Sequence, residues 1–312
     1  MALFSLIAVL LIEQLRPLPF RLMVHQPLTR LANFLEGLFN AGEASHGLIA
    51  WLVAVGGLVL LAGGVEFALD ALNPLLAWLW TVVMLYLTMG FRQFSHYYTD
   101  IQFALRMGDL SQARKLLGEW RGRPADGLSS SEIARLAIEE ALSASHRHVF
   151  GVLVCFVLLP GPCGAVLYRT AAFFADHWGR RTDDDAGCFG RFSRQAFALI
   201  DWLPLRMTAA GFAIVGNFED AIYCWRTQAD KWSDSHLGGG IGIVLASGAG
   251  ALGVRLGMPV VEAGEIADRA EMGTGEDADV DFMQSAVGLV WRALLLWLLL
   301  LLLLGLAGLI GG

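Results

Sequence analysis

Residues 287–310 read VGLVWRALLLWLLLLLLLGLAGLI. Leu294 to Leu304 is unbroken leucine except for Trp297, and Arg292 is the single charge in the stretch. A helix of roughly 20 apolar residues crosses a bilayer core, so this segment is long enough to span. Two further stretches repeat the pattern. Residues 47–69 are apolar apart from Glu66, and residues 72–89 carry no charge. Composition agrees: 56% of the 312 residues are apolar and 16% are charged, against roughly 25% charged in soluble domains. The chain reads as an all-α, polytopic helical membrane protein. We take it as one membrane domain over 1–312, with the last transmembrane helix at about 287–310.

Residues 47–69 and 72–89 are joined by Asp70-Ala71, with Asn73-Pro74 just beyond, which predicts a transmembrane hairpin with both flanks on one side. Arg16, Arg21 and Arg30 precede it. Arg92, Arg106, Arg114, Lys115, Arg121, Arg123, Arg135 and Arg147 follow it. The positive-inside rule places these flanks in the cytoplasm, with the protein in a bacterial inner membrane. Residues 90–148 then form a cytoplasmic helical insertion. In it Asp109 reads as an N-cap, and Ser129 with Glu132 as a capping box. The N-terminal Ala2–Leu15 reads as a retained helix, because no basic segment precedes the apolar run and no small-residue cleavage site follows it. Residues 149–175 are apolar but broken by Pro160-Gly-Pro162-Cys-Gly164, and each half is too short to span alone. Two readings stay open there: a re-entrant hairpin, with Arg180, Arg181, Arg191 and Arg194 following it in the cytoplasm, or one kinked spanning helix.

Residues 241–256, IGIVLASGAGALGVRL, contain Gly248-Ala-Gly250-Ala-Leu-Gly253 behind a short apolar run. That is the dinucleotide-binding spacing, and Asp268 lies about where a ribose-binding acid would. The site needs a βαβ unit and a sheet, whereas an acidic stretch and a membrane helix follow here. The favoured reading is packing: Gly242, Ala246, Ala249, Gly250 and Gly253 recur at three- and four-residue steps, a smooth helix face that another helix can approach closely. Residues 262–281 hold eight carboxylates and one arginine, and read as a solvated loop. Cys155, Cys163, Cys188 and Cys224 have no C-x-x-C spacing, so neither a disulfide nor a zinc site is expected.

A succession of short motifs resembles the CobD/CbiB family. Gly108-Asp109-Leu and Gly122-Arg-Pro-Ala-Asp126 come first, followed by a helix with Ala137-Ile-Glu139. Gly161-Pro-Cys-Gly164-Ala-Val-Leu-Tyr168-Arg169, Asp201-Trp-Leu-Pro204-Leu-Arg206-Met-Thr208 and Gly216-Asn-Phe-Glu-Asp220 with Cys224-Trp225-Arg226 come next. Ala249 to Arg255, Gly264 to Arg269 and Gly273-Thr-Gly275 complete the order over roughly 90–300. The resemblance implies an ATP-dependent acid–amine ligase of cobalamin biosynthesis. Such an enzyme joins adenosylcobyric acid to aminopropanol or its phosphate to give adenosylcobinamide or its phosphate. ATP and Mg²⁺ are implied, with no tightly bound cofactor. Corrinoid, aminopropanol (phosphate) and membrane lipid are the expected partners, with no nucleic acid; a homo-oligomer or a partner membrane protein fits equally. Two features depart from the family: where it carries an acidic run, this chain has Ser143-Ala-Ser-His146-Arg147-His148, and where it carries an N-terminal His-Pro signature, this chain has His25-Gln-Pro27. Those departures are shared ground with the AmpE-type membrane proteins, linked to signalling rather than catalysis, which are the alternative.

The residues weigh as follows. Asp201 and Arg206 are ionisable groups in an apolar segment around Pro204, a placement that suggests function; with Arg255 they are the catalytic candidates. An arginine can grip a phosphate or carboxylate with two parallel bonds. Glu219 and Asp220 are candidate Mg²⁺ ligands, since that ion takes one or two carboxylates beside phosphates. His146, Arg147, His148, Trp225 and Arg226 are candidate substrate contacts, although Trp225-Arg226 equally suits an interface anchor. Glu139 and Glu140 read as helix surface, although by the resemblance Glu139 matches a family acid.

Overall fold

The computed structural model describes residues 2–15, 21–39, 44–179, 184–232, 239–262, 265–267 and 269–310. Arg16, Arg180, Arg181, Gly264 and Asp268 lie outside the described residues. The helices are α1 (Ala2–Leu15), α2 (Gln26–Phe39), α3 (Ala44–Trp51), α4 (Gly57–Leu72), α5 (Pro74–Thr88), α6 (Phe91–Arg106) and α7 (Leu110–Arg121). Then come α8 (Ser130–Ser145), α9 (Gly151–Leu158), α10 (Cys163–Gly179), α11 (Asp184–Val215), α12 (Phe218–Gln228), α13 (Gly242–Leu252) and α14 (Val280–Ile310). Four short strands, β1 (Val254–Arg255), β2 (Val260–Glu262), β3 (Glu265–Ala267) and β4 (Glu276–Asp277), lie between α13 and α14. The protein is all-α in class, and among the described residues four helical stretches are long and apolar enough to cross a membrane: Ser45–Leu72, Ser130–Leu158, Phe189–Val215 and Val280–Ala307.

The chain divides into two compact units, one of residues 1–90 and 151–204, the other of residues 91–150 and 205–312. In the first unit the predicted hairpin is present as α4 and α5. Its turn is the single residue Asn73, whose side chain caps α5 by accepting from Leu75 N–H at 2.9 Å. Trp80 Nε1 donates to Ala62 O at 3.0 Å, so the two helices run back along each other. The second arm is shorter than expected. Pro74 fixes the first helical turn, and α5 has 15 residues where 72–89 was read as a full span.

The broken segment is also a hairpin. A side-chain carbon at Gly164 would meet the backbone of Cys155, and one at Gly151 would meet the ring of Tyr168. Residues that far apart touch only if α9 and α10 fold back on each other, which excludes the single kinked helix. Gly161 makes the turn at φ 57°. Beneath these helices lies a core of Ala32, Leu35, Trp51, Val55, Phe174, Trp178 and Phe189. Phe174 and Trp178 have ring centroids 4.5 Å apart. Burying each such aromatic side chain contributes roughly 1.5–3 kcal/mol.

The second unit corrects the reading of 90–148 as one soluble insertion. α6 and α7 are the polar helices expected, with Asp109 accepting from Gln112 N–H at 3.0 Å as the cap. The Ser129–Glu132 capping box also forms. The helix it starts, however, does not stop near Ser145. A π-helical turn at His146–Phe150 carries it into α9, giving the 29-residue apolar stretch Ser130–Leu158. The acidic stretch is likewise more ordered than a solvated loop. β1 pairs with β4 in parallel, β2 with β3 antiparallel, and Leu256 bridges Met272. Asp279 Oδ1 accepts from the N–H groups of Asp281 and Phe282 at 2.9 Å each, so α14 begins at Val280, before the expected 287.

The glycine-rich run forms α13. Gly248 and Gly250 lie in its C-terminal half, and Gly253 ends it in the left-handed conformation at φ 67°. A dinucleotide loop needs these glycines at a helix N-terminus, where the backbone N–H groups attract phosphate; here they occupy the opposite end. Close approach is what they provide: Gly248 admits Leu142 of α8, within the apolar stretch Ser130–Leu158, and Gly250 admits α12. A side-chain carbon at Gly250 would meet Asp220 O, while Gly253 has open space and serves as the cap. Gly250→Ala is therefore expected to lower the thermal midpoint of the purified protein, with an overpacking cost of about 1–3 kcal/mol. Gly37→Ala, which meets nothing within 4 Å, should keep or raise it, since alanine favours a helix over glycine. Equal midpoints for both would refute the close packing of α12 on α13.

Candidate functional site

The second unit contains a polar stripe along one face of α8. Arg135, Glu139, Ser143 and His146 follow at steps of four, four and three, the spacing of one helical face. All four are buried, although the helix is apolar enough to span a bilayer. Glu139 is the centre. One carboxylate oxygen accepts from Arg269 Nη1 at 2.7 Å, and the other from Gly257 N–H at 2.9 Å. The two side chains are 2% and 3% exposed, so this is a dry ion pair. The expectation that Glu139 is helix surface is thus overturned; a carboxylate on this face has no water to turn to and needs a cation. Arg269 also lies over the ring of Trp232, 5.8 Å from its centroid. Next to Gly257, Met258 adopts φ 63°, a conformation uncommon outside glycine.

At the end of the stripe His146 is fully buried, with Nδ1 2.9 Å from Thr208 Oγ1 on α11. The π-helical turn sits at this point, a distortion frequent at functional sites. Arg147 and His148 are half-buried, and the His148 ring stacks on Phe94 with centroids 6.5 Å apart. The two histidines thus face different neighbours, as their spacing implies.

The remaining candidates are divided between the two units. Asp201 belongs to the first unit, where its Oδ1 accepts from Tyr168 OH at 2.9 Å and it is 7% exposed. Arg206 is half-buried on the part of α11 that belongs to the second unit. Arg255 bonds Asp277 at 2.8 Å and stands 3.7 Å from Glu271, so members of the acidic stretch already engage it. Glu219 is exposed at the start of α12. Asp220 accepts from Asn217 Nδ2 at 2.6 Å. Trp225 is half-buried and Arg226 exposed. Glu219 and Asp220 offer two carboxylates in one helical turn, suited to an ion that arrives with phosphates. Among the described residues no group of three or more His, Cys, Asp or Glu is placed to hold a metal ion.

Comparison with known proteins places the chain. The profile of a family described as CobD/Cbib protein matches residues 9–290. The chain belongs to the CobD/CbiB family. A cobalamin biosynthesis protein CobD of Stutzerimonas stutzeri is 35% identical, covering 95% of this chain and 96% of its own. One from Chromobacterium violaceum is 34% identical over 72% of this chain and 70% of its own. The cobalamin biosynthesis protein CbiB of Salmonella typhimurium is 27% identical over 82% and 80%. No solved structure matches the chain.

Sequence reasoning alone missed the Glu139–Arg269 pair, whose partners lie 130 residues apart. The available signal was charge at helical spacing within an apolar segment, where ionisable groups are expensive. Glu66 gives the same signal: it is half-buried in α4, accepts from Thr81 Oγ1 at 3.2 Å and packs on Gly161 at the α9–α10 turn. For the buried pair, Glu139→Gln and Arg269→Met should each destabilise the protein by about 3–5 kcal/mol, since each strands one buried charge. The double variant should lose clearly less than the sum. Additive losses in a double-mutant thermal-unfolding cycle would contradict the direct pairing.

Proposed function

We propose that this CobD/CbiB-family chain is an integral membrane enzyme of cobalamin biosynthesis that forms an amide bond. Its substrates would be the carboxylate of adenosylcobyric acid and the amine of aminopropanol or aminopropanol phosphate, its product adenosylcobinamide or the corresponding phosphate. The observation that carries the reading is the likeness to a cobalamin biosynthesis protein CobD along 95% of the chain. The same likeness favours this reading over an AmpE-type signalling role. Amide formation from a carboxylate needs activation, and ATP with Mg²⁺ is the natural co-substrate. The amine then attacks unprotonated, and a phosphate group leaves. Negative charge at the reacting centre has to be met by cations.

Arg206, an arginine in the apolar sequence of α11, would meet charge at the reacting centre. Arg255 is engaged by two acids, and Asp201 accepts from a tyrosine. His146 takes the place that the family resemblance assigns to an acid. Glu219 and Asp220 would receive the Mg²⁺ carried by the nucleotide. Trp225 and Arg226 would meet the corrinoid or the membrane interface. Bulky apolar side chains on the outer faces support membrane insertion: Leu60, Phe67, Leu295, Leu299 and Leu303 are all more than half exposed. The arginine-rich α6–α7 segment supports a cytoplasmic polar face in a bacterial inner membrane.

The test is an assay of the detergent-purified protein with adenosylcobyric acid, ATP, Mg²⁺ and aminopropanol or its phosphate. Amide product is expected, and Arg206→Ala should lower turnover about a hundredfold or more, roughly 3 kcal/mol of lost charge stabilisation. No product from folded wild type, across pH and both amines, would favour the AmpE-type role. Reporter fusions at Gly108 and Gly127 should read cytoplasmic; a periplasmic signal at both would invert the topology.

A further inference from the structure

One cation in the α8 stripe is not satisfied by its surroundings. Arg135 lies in the second turn of α8 and is 6% exposed. Its charged neighbours are Glu139, Arg269, Glu132 and Asp277. Each of the three acids is already held at short range by another group. Glu132 accepts from the N–H and the hydroxyl of Ser129 at 2.7 Å each. Glu139 accepts from Arg269 at 2.7 Å and from Gly257 at 2.9 Å. Asp277 accepts from Arg255 at 2.8 Å. Arg135 Nε and Nη2 are both buried, and among the described residues neither has a hydrogen-bond partner.

Those two nitrogens form one edge of the planar guanidinium. Their N–H bonds run parallel and match the two oxygens of a carboxylate or a phosphate. A buried polar edge without a hydrogen-bond partner is unfavourable, and although Glu139, Glu132 and Asp277 act on Arg135 through space, none of them bonds this edge. The opposite design would be simple, since any acid one turn away could close on it. Instead the acids within reach turn to Ser129, Gly257, Arg269 and Arg255, and the fork stays open.

We propose that the Nε–Nη2 edge of Arg135 is an oxyanion-binding site that takes the carboxylate or phosphate group of a small ligand in a two-pronged hold. Arg269 adds a second positive charge beside it, and the Glu139–Arg269 pair keeps that charge in place. The site stands independently of the amide-forming reading, because it is detected by binding and not by turnover.

The purified full-length protein is titrated with sodium phosphate and, separately, with sodium acetate, at an ionic strength held constant with chloride. The thermal midpoint is followed throughout. Wild type should show a saturable rise; the anion that produces it tells a phosphate from a carboxylate ligand. Arg135→Lys keeps the charge but removes the fork, and should weaken the apparent affinity about tenfold or more. Arg135→Met should keep or raise the ligand-free midpoint, since an apolar side chain removes a buried edge that lacks a hydrogen-bond partner, and should abolish the response to the anion. No rise with either anion, or the same rise in wild type and both variants, overturns the proposal. So does a collapse of the ligand-free midpoint in both variants, because it means that the fold itself already satisfies Arg135.

Discussion

The ion pair between Glu139 and Arg269 fixes how the second unit closes. Its members are brought together across 130 residues at 2.7 Å, with neither exposed. Such a pair adds little net stability, because removing two charges from water offsets most of their attraction. Its effect is selective. Any arrangement that separates Glu139 from Arg269 strands a charge in a dry interior, so the segment after α13 has one favourable way to return to α8. Gly257 enters the same arrangement, giving its N–H to the second oxygen of Glu139. The left-handed Met258 follows from that constraint: the chain must turn sharply after presenting Gly257. The bridge between Leu256 and Met272 and the β1–β4 pair extend the closure toward Arg255 and Asp277.

A second constraint is steric and concerns α13. Its small residues admit neighbours from several sides within the second unit. Gly248 meets Leu142 of α8, Gly250 meets the backbone at Asp220, and Ser247 donates to Ala209 O of α11 at 2.8 Å. Asn217 N–H donates to Ala251 O at 3.0 Å, which seats the start of α12 on the end of α13. The position of Glu219 and Asp220 is therefore set by the absence of side chains on α13. Where apolar burial cannot drive helices together, close backbone approach is the remaining source of attraction, and this helix is built for it.

The parts of this architecture that were legible in the sequence are those encoded locally. The leucine run of α14, the capping box at Ser129, the cap at Asp109 and the α4–α5 hairpin are each written within a few adjacent residues. The continuation of α8 into α9 was not legible, since His146-Arg147-His148 looks like a charged helix end, and a π-helical turn leaves no mark in composition. The strands were invisible for another reason: with two or three residues each, they are too short to show alternation. In the site, the residue types at Asp201, Arg206 and His146 drew notice because charge in apolar sequence is rare. Which of them meet was beyond reach. A lone sequence gives no sign that Glu139 looks to Arg269, and a glutamate at helical spacing is by default a surface residue.

The π-helical turn also marks where the polar face of α8 ends. One face of α8 carries Arg135, Glu139, Ser143 and His146, and the wider turn at His146–Phe150 ends that face. Phe150 instead packs edge-on against Phe212, with centroids 5.6 Å apart. The polar stripe thus stops at a histidine, and beyond Arg147 and His148 the helix is apolar through Leu158. Additional carboxylates at this buried end would each require a cation, and Thr208 can offer His146 only a hydroxyl. Imidazole suits such a partner, because a ring nitrogen can donate to or accept from a hydroxyl. Around Arg135 the guanidinium of Arg269 is set against the carboxylates of Glu139, Glu132 and Asp277. Charge is thus met through space, but among the described residues the Nε–Nη2 edge of Arg135 has no hydrogen-bond partner, and that edge is what the proposed anion would fill.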